Sequence, residues 1–340
     1  MDVDYLIVGA GFAGASTAHS IKQPTGASPE APRVVVVEKE PLPGVHSSGR
    51  NAAQIRRRLD NPAMAELARR GADILACGEL AEFRRTGSVL IGLGSDDVSN
   101  HFPLASGRGL WCPDDGIVDI AGLVASYLRD VDVRYNTEVT GWDDAPGAQS
   151  QLPADTLLRV HTNSGDLTTR ILINAAGPWA GTLGDLPLTP TNRHLFATPP
   201  MKDINPDWPF VWDVVNGLYF RPESGGLLLC ACDETPAEPG RYDEDPQVAA
   251  RLEEMVRSLQ PGLGELHIMR SWVGQRTFAP DRQFVIGYDP RDPRLFHVAA
   301  LGGNGVAAAP AVGALAAEML LHPDDFRKSK NPFDPVRLLR

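Results

Sequence analysis

Apolar residues enter this chain as short unbroken runs rather than as alternating or helical stripes. Asp4-Tyr5-Leu6-Ile7-Val8 passes directly into Gly9-Ala10-Gly11-Phe12-Ala13-Gly14, and a second run, Val34-Val35-Val36-Val37, ends on Glu38. Runs this short, apolar on both faces, predict strands of a parallel sheet covered on either side. Strand, G-x-G-x-x-G, helix, strand and terminal acid together read as a dinucleotide-binding βαβ unit. Gly9 permits the tight turn, Gly11 lets backbone approach a pyrophosphate, and Gly14 lets the helix pack closely on the strand. The first-turn amides around Phe12 and Ala13 then face the phosphates at the positive end of the helix dipole. Glu38 can accept hydrogen bonds from a ribose diol. It stands somewhat farther from Gly14 than the usual ~20 positions. The excess is Gln23 to Pro32, rich in proline and without periodic apolar residues, which predicts a surface loop.

Beyond Glu38 the pattern changes. Lys39 to Gly44 is a turn, and Val45 to Gln54 is dominated by small and hydroxyl residues, dense in hydrogen-bond donors. Asn61 to Leu80 places Met64, Leu67, Ala68, Ile74 and Leu75 roughly on one side, with Pro62 near its start and Gly78 near its end, and predicts an amphipathic helix. Ser88 to Gly92 predicts a strand, Ile120 to Arg129 a helix, and Val131 to Tyr135 and Glu138 to Trp142 short strands. Leu157 to Thr162 and Thr168 to Asn174 predict a hairpin. Its second strand runs into Ala175-Ala176-Gly177-Pro178-Trp179, another glycine turn that lets backbone touch a ligand. From Pro187 to Met269, short apolar strands alternate with proline-rich turns around one helix, Pro246 to Leu259. That texture predicts an inserted antiparallel sheet. The nucleotide fold resumes with Gln283 to Tyr288, Phe296 to Ala300, Gly302-Gly303-Asn304-Gly305 and an alanine-rich helix.

Composition narrows the class. The 340 residues can bury a substantial core, and a net charge of -11 argues against nucleic acid or anionic membrane as general partners. No unbroken apolar stretch reaches the ~18 residues of a membrane span, so no transmembrane segment is expected. Val306 to Leu321 comes closest, and Pro310 and Gly313 within it fit a buried helix. The first strand begins at the N-terminus, so no secretory leader is expected and a reducing cytoplasm is the expected compartment. Cys77, Cys112, Cys230 and Cys232 show no C-x-x-C or metal spacing. Cys230 and Cys232, two apart in a strand-like run, share a face and read as reduced packing residues. Arg56-Arg57-Arg58 reads as a solvated face and Asp114-Asp115 as a turn. The eight histidines show no metal spacing, and His46 reads as held by its neighbours.

Five segments carry a family likeness: DYLIVGAGFAGAST from Asp4, PGVHSSGRNAA from Pro43, INAAGPWA from Ile173, SWVGQRTF from Ser271 with Asp281 beyond it, and HVAALGGNG from His297. In this order they resemble the D-amino acid oxidase superfamily of FAD-dependent oxidoreductases. Within it the chain resembles bacterial D-amino acid dehydrogenases of the D-arginine dehydrogenase type, and more distantly glycine and sarcosine oxidases. The resemblance implies an α/β fold with an α+β insert. A discontinuous Rossmann-like FAD-binding domain would cover 1–80, 120–186 and 270–325, an antiparallel-sheet substrate-binding domain 81–119 and 187–269, and a tail 326–340. It implies that the first glycine turn holds the FAD diphosphate and Glu38 the adenosine ribose, with Lys39 beside it. Ser47, Ser48, Arg50, Asn51 and Ala52 would line the diphosphate and isoalloxazine, and Val139 would meet adenine. Ala175, Ala176, Gly177 and Trp179 would pass beside the cofactor. Gly302, Gly303, Asn304, Gly305 and Val306 would aim helix N-terminal amides at the pyrimidine edge, where reduced flavin carries negative charge. Sarcosine oxidase-type relatives attach FAD through a cysteine just past this turn; none follows Phe296 here, so noncovalent FAD is expected.

The implied reaction is oxidative deamination of a small D- or N-substituted amino acid, by hydride transfer from the α-carbon to flavin N5 and hydrolysis of the imino acid to a 2-oxo acid. Orientation is then the main task, and a planar guanidinium clamps a carboxylate in both distance and angle. By the resemblance, Arg276 is that clamp, Tyr219 donates to the same carboxylate, Arg193 is a second arginine, and Gly274 offers its carbonyl to the amine. Three positions depart from the close subfamily. Gln54 replaces a histidine, Ala307 replaces a glutamine, and Arg85-Thr86-Gly87-Ser88-Val89 lacks the acid that grips a cationic side chain. A neutral or acidic substrate side chain is therefore at least as well suited. Two alternatives stay open. One is a 2-hydroxy acid dehydrogenase with His46 as base; the other is a flavin-binding subunit of a hetero-oligomer. The electron acceptor, oxygen or quinone-type, is not specified.

Overall fold

Val34 to Val37, buried on all four residues, lies inside a sheet with both faces covered, as its unbroken apolar run predicts. This computed structural model describes residues 2–23, 32–145, 157–326 and 330–339, so most of the proline-rich loop after Gln23 lies outside the described residues. The sheet is ordered Val285–Tyr288, Leu295–Ala299, Leu167–Asn174, Asp2–Val8, Val34–Val37, Asp132–Arg134. Four of the five pairings along it are parallel, and Val285–Tyr288 joins antiparallel at one edge. Leu158–Thr162 forms the expected hairpin with Leu167–Asn174, and Val139–Asp144 pairs onto it.

One face of this sheet is covered by helices Phe12–Lys22, Pro62–Ala76, Ile120–Leu128 and Gly305–Leu321. Asn61 starts the second of these: its side-chain oxygen accepts from the amides of Ala63 and Met64, and Pro62 needs no donor in the first turn. The last helix owes its alanines to crowding. A Cβ on Gly313 would strike the Ser16 carbonyl, and one on Gly71 would strike the Ala307 carbonyl. Residues Gly302–Leu321 form the one stretch among the described residues long and apolar enough to cross a membrane, and it is mostly buried in the protein. The C-terminal tail packs back on the nucleotide layer. Phe333 is buried against Phe284, and the Ile286 amide donates to the Phe333 carbonyl.

The second sheet is ordered Thr235–Pro236, Thr189–Ala197, Gly226–Cys230, Leu218–Glu223, Phe210–Asp213, Ser88–Asp97, Arg108–Cys112. It is antiparallel except that Phe210–Asp213 runs parallel to Ser88–Asp97. Arg270–Phe278 pairs with Thr189–Ala197 along nine positions. The change from one sheet to the other therefore falls after Phe278 and not at residue 270, because this strand completes the inserted sheet before the chain returns. Alternation along the strands gives the sheet two faces. Phe196, Val211, Phe220 and Leu229 meet Val248, Leu252 and Val256 of helix Pro246–Leu259 on the outer face. Leu195, Tyr219, Leu228 and Cys230 form the inner face, packed with Ala52 of the nucleotide side. A small third sheet, Gln54–Ile55, Gly116–Val118 and Phe83–Arg84, joins the layers.

Candidate active site

Backbone builds one end of the site. Gly9 has φ 103°, open to glycine, and a Cβ there would stand 2.6 Å from the Ala175 carbonyl oxygen. A Cβ on Gly14 would run into the Gly9 carbonyl, so helix and turn can close only on hydrogen atoms. Gly11, at the start of helix Phe12–Lys22, offers no side-chain cap, and the first turn holds no acid. Only the Phe12 amide is engaged from a side chain, donating to Ser48 Oγ at 2.9 Å. An uncapped helix N-terminus of this kind is an anion site. Glu38, nearly buried, accepts from the Ala10 amide at 2.8 Å and the Glu40 amide at 3.0 Å. Each oxygen keeps a lone pair for a further donor.

Gly9, Gly11, Glu38 and Ser48 border an open cavity that also touches Lys39, Ser47, Val139, Ala176, Gly177 and Trp179. A second open cavity is lined by Phe12, Ala13, Asn51, Arg276, Gly302, Gly303, Gly305 and Val306. The two share Gly11, Ser47, Ser48, Ala175 and Gly177, which makes them two ends of one trough. Asn304, at the entry to helix Gly305–Leu321, provides no side-chain cap, so a second set of amides opens at the far end. Lys39 Nζ stands 3.4 Å from the centre of the Trp179 ring. Gly14 lies beneath the first turn, and neither it nor Arg50, Ala52, Arg193, Tyr219, Gly274 or Asn304 lines either cavity.

His46 belongs to the first end. Its Nε2 is 2.8 Å from Glu40 Oε1, its Nδ1 meets the Tyr242 hydroxyl, and its ring is edge-on to Trp179. Burial lowers its pKa, and it lines only the cavity that holds Glu38 and Val139.

Side chains build the other end. The pairing of Arg276 with Thr191, Gly274 with Arg193 and Trp272 with Leu195 puts these residues on the inner face of the second sheet. Tyr219 pairs with Cys230 and Trp212 on that same face. Sequence-distant residues Arg193, Tyr219, Gly274 and Arg276 are thus brought together. Arg276 is buried; it donates to the Gln275 carbonyl at 2.9 Å and the Arg50 carbonyl at 3.1 Å. No carboxylate among the described residues lies within ion-pair distance of it. Burial pulls its pKa down, only partly opposed by Tyr219, and the Arg193 cation adds to the pull. A guanidinium stays charged regardless, and Asp233 acts on this one only through its field, not as an ion-pair partner.

Arg193 differs. Its Nε donates to the Asp233 carbonyl at 2.9 Å and its Nη2 pairs with Glu234 at 2.6 Å, so its charge is already balanced within the protein. Tyr219 is buried beside Trp212, with ring centres 4.9 Å apart. Burial and the neighbouring thiols raise its pKa well above the ordinary value, which keeps the hydroxyl a donor. Gly274 has no room for a side chain, since a Cβ would meet Arg50. Cys230 and Cys232 correct a sequence reading. The strand ends at Cys230, and Cys232 turns back at φ 47° so that its amide donates to Cys230 Sγ at 3.2 Å. Both are free thiols.

Three polar groups near this end are left without partners, and of these only Gln54 stood out in the sequence, as the replacement of a histidine. Gln54 Nε2, Arg56 Nε and Thr277 Oγ1 are buried without a hydrogen-bond partner. Arg56 is not part of a solvated face. Ile55 enters the core of the nucleotide layer, so strand alternation sends Gln54 and Arg56 the other way. There the Arg56 guanidinium lies 4.1 Å from the centre of the Trp212 ring. Its neighbours behave as expected for surface arginines: Arg57 pairs with Asp73, and Arg58 is exposed. The signal was a two-residue strand, too short to show a period.

A glycine-turn nucleotide layer and a sheet carrying a buried arginine without a carboxylate partner, facing across one trough, define a cofactor-dependent enzyme. The sequence profile described as "FAD dependent oxidoreductase", DAO, matches residues 4–98 and 91–319, and the chain belongs to this family. The chain is 26% identical over 235 residues to the "Bifunctional protein ThiO/ThiG" of Synechocystis, a match spanning 68% of this chain and 33% of that protein. It is 25% identical over 250 residues to the glycine oxidase of Bacillus licheniformis, spanning 67% of this chain and 62% of that one. The match thus spans a third to just under two thirds of these relatives' own lengths. The fold is also that of the L-proline dehydrogenase from P. horikoshii, with a TM-score of 0.84 at 21% identity, covering 100% of this chain and 98% of that one. FAD is the family's cofactor, and the trough fits it. Uncapped amides stand at both ends, the glycine cradle would be filled by any Cβ, and Glu38 stands at one end with the Gly302 turn at the other.

Proposed function

We propose that this chain oxidises small amino acids, D- or N-substituted, at their CH–NH2 or CH–NH bond. The observation that carries the reading is Arg276: a buried guanidinium with no carboxylate of its own, opening on the cavity that also meets the Gly302 turn. FAD, when bound, supplies the hydride acceptor. Arg276 then holds the substrate carboxylate in a charge-assisted clamp. The Tyr219 hydroxyl donates to the same carboxylate, and the Gly274 carbonyl accepts from the amine. Arg193, balanced by Glu234, closes the flank near Gly303. Fixing the α-carbon in this way supplies the orientation such a transfer needs. The names of the relatives, a glycine oxidase and an L-proline dehydrogenase, support an amino acid as substrate.

In this reading residues up to about 80, 120–186 and those after Phe278 bind FAD, without a covalent link. The inserted sheet, including Arg270–Phe278, binds substrate. The hydroxy-acid alternative needs a base near the reacting carbon, and His46, engaged by Glu40 and Tyr242 at the nucleotide end, offers none there. The test is anaerobic mixing of the FAD-loaded protein with a panel of D-, N-methyl and cyclic amino acids. At least one should bleach the flavin absorbance band; a flavin left oxidised by all of them defeats the proposal.

A further inference from the structure

Among the described residues, three arginines that are not solvent-exposed have no carboxylate partner: Arg50, Arg56 and Arg276. Arg50 donates to the Val45 and Val273 carbonyls and lies over the Tyr242 ring, so its donors are engaged. Arg276 has two carbonyls and the proposed substrate carboxylate. Arg56 has neither a hydrogen bond nor an ion pair, only the face of Trp212. Trp212 packs on Tyr219, whose charge interactions include Arg276, so Arg56 stands one aromatic layer away from the clamp on the same face of the sheet.

Among the described residues, no carboxylate lies within ion-pair distance of this cation. The acids whose fields reach it are Asp115 and Asp60. Asp115 already accepts from Ser88 Oγ at 2.6 Å and from the Arg57 amide at 3.0 Å, and Asp60 is exposed. The thiols of Cys232 and Cys112 lie within its field as well. Beside it, on the same side of the Gln54–Ile55 strand, Gln54 Nε2 is a second buried donor without an acceptor. A charged and a neutral N–H donor, adjacent and both unsatisfied, form the recognition pattern for one carboxylate. Buried donors are otherwise paired in folded proteins.

We infer that Arg56 and Gln54 are a second carboxylate site, and that the substrate is an amino acid with an acidic side chain or an acidic N-substituent. This inference rests on the proposed amino acid oxidation and names its substrate class. A zwitterion with one carboxylate would satisfy Arg276 and leave Arg56 bare. A molecule with two carboxylates satisfies both.

The test uses the FAD-loaded protein and reads binding through perturbation of the flavin spectrum. Succinate and succinamate are titrated as a size-matched pair, followed by aspartate, asparagine, iminodiacetate and sarcosine, with both enantiomers of the chiral ligands. The dicarboxylates should bind at least tenfold more tightly than their monocarboxylate partners. R56Q should remove that preference while leaving succinamate affinity within about twofold, and R56K should restore part of it. C232S should keep the preference, because the thiol is not the counter-ion. Equal affinities within each pair in the parent protein overturn the inference without any variant, and so does a preference that survives in R56Q. Neutral amino acids that reduce the flavin while acidic ones do not would overturn the inference and leave the proposed reaction standing. A dicarboxylate preference lost in R56Q, in a protein whose flavin no amino acid reduces, would uphold the site and overturn the reaction.

Discussion

The two ends of the trough are built from different material. At the nucleotide end, the groups that meet a ligand are mainly amides and carbonyls, and the space is set by side chains that are missing at Gly9, Gly11 and Gly14. At the sheet end, long cationic and aromatic side chains gather instead: Arg276 lines the cavity, with Tyr219, Arg193, Arg56 and Trp212 packed around it. Main-chain donors are fixed in place by the turn and helix that carry them, and their charge cannot be changed by substitution. Side-chain donors are held by packing and can be exchanged one at a time. The first arrangement suits a cofactor that does not vary, and the second suits a substrate that must be told apart from others.

That contrast predicts opposite failures. Gly14→Val places branched carbons against the Gly9 carbonyl, and overpacking of this kind costs about 1–3 kcal/mol or more. The expected result is protein that no longer co-purifies with yellow flavin, measured by the ratio of visible to ultraviolet absorbance. Arg276→Gln should do the reverse: full flavin content, with the rate of anaerobic flavin reduction lowered about 10²–10³-fold. Losing one partner of a buried charge pair costs roughly 2–5 kcal/mol. A variant that lost flavin instead would remove Arg276 from the substrate end.

A smaller effect tests the nucleotide layer through its acid stability. Asp289 is buried where Val285–Tyr288 ends; it accepts from Arg291 and lies 2.9 Å from His297 Nε2. Burial alone would raise its pKa, but these hydrogen bonds outweigh burial and hold the carboxyl well below the ordinary range. A depressed folded pKa contributes stability that is full above the unfolded value, about 3.9, and fades as pH falls below it. The parent protein should therefore lose melting temperature as pH falls from about 4 toward 2. Asp289→Asn should start lower at pH 7, by about 1–3 kcal/mol of stability, and change less over the acid window. Tyr219→Phe is the mildest change, removing one donor worth about 1 kcal/mol. Its signature is a KM raised about fivefold with flavin content and melting temperature unaltered. An unchanged KM would show that the hydroxyl does not touch substrate.

Much of the nucleotide end could be read along the chain because its determinants are local. The G-x-G-x-x-G spacing, the acid closing the Val34–Val37 run, and Asn61-Pro62 at a helix start each act within a few residues. The inserted sheet was legible as a sheet, and its helix Pro246–Leu259 matches the predicted bounds. Its faces were not legible. Whether Tyr219 or Phe220 turns toward the trough depends on register with Gly226–Cys230, and the strand Arg270–Phe278 joined this sheet although it follows the insert in sequence. Arg56 is the plainest case. A run of three arginines looks solvated, and only the packing of Ile55 on one side and Trp212 on the other turns the first of them inward.

By itself, the sequence determined the turn chemistry and the family, since steric freedom at glycine and the reach of a helix dipole are properties of consecutive residues. It also marked Arg276 as a candidate for the clamp. The tertiary structure alone decided which cations have partners. Arg193 finds Glu234, while Arg276 and Arg56 find no acid. The reason is physical: the effect of a buried charge depends on which distant groups are folded against it, and that pairing is written in no stretch of chain short enough to read.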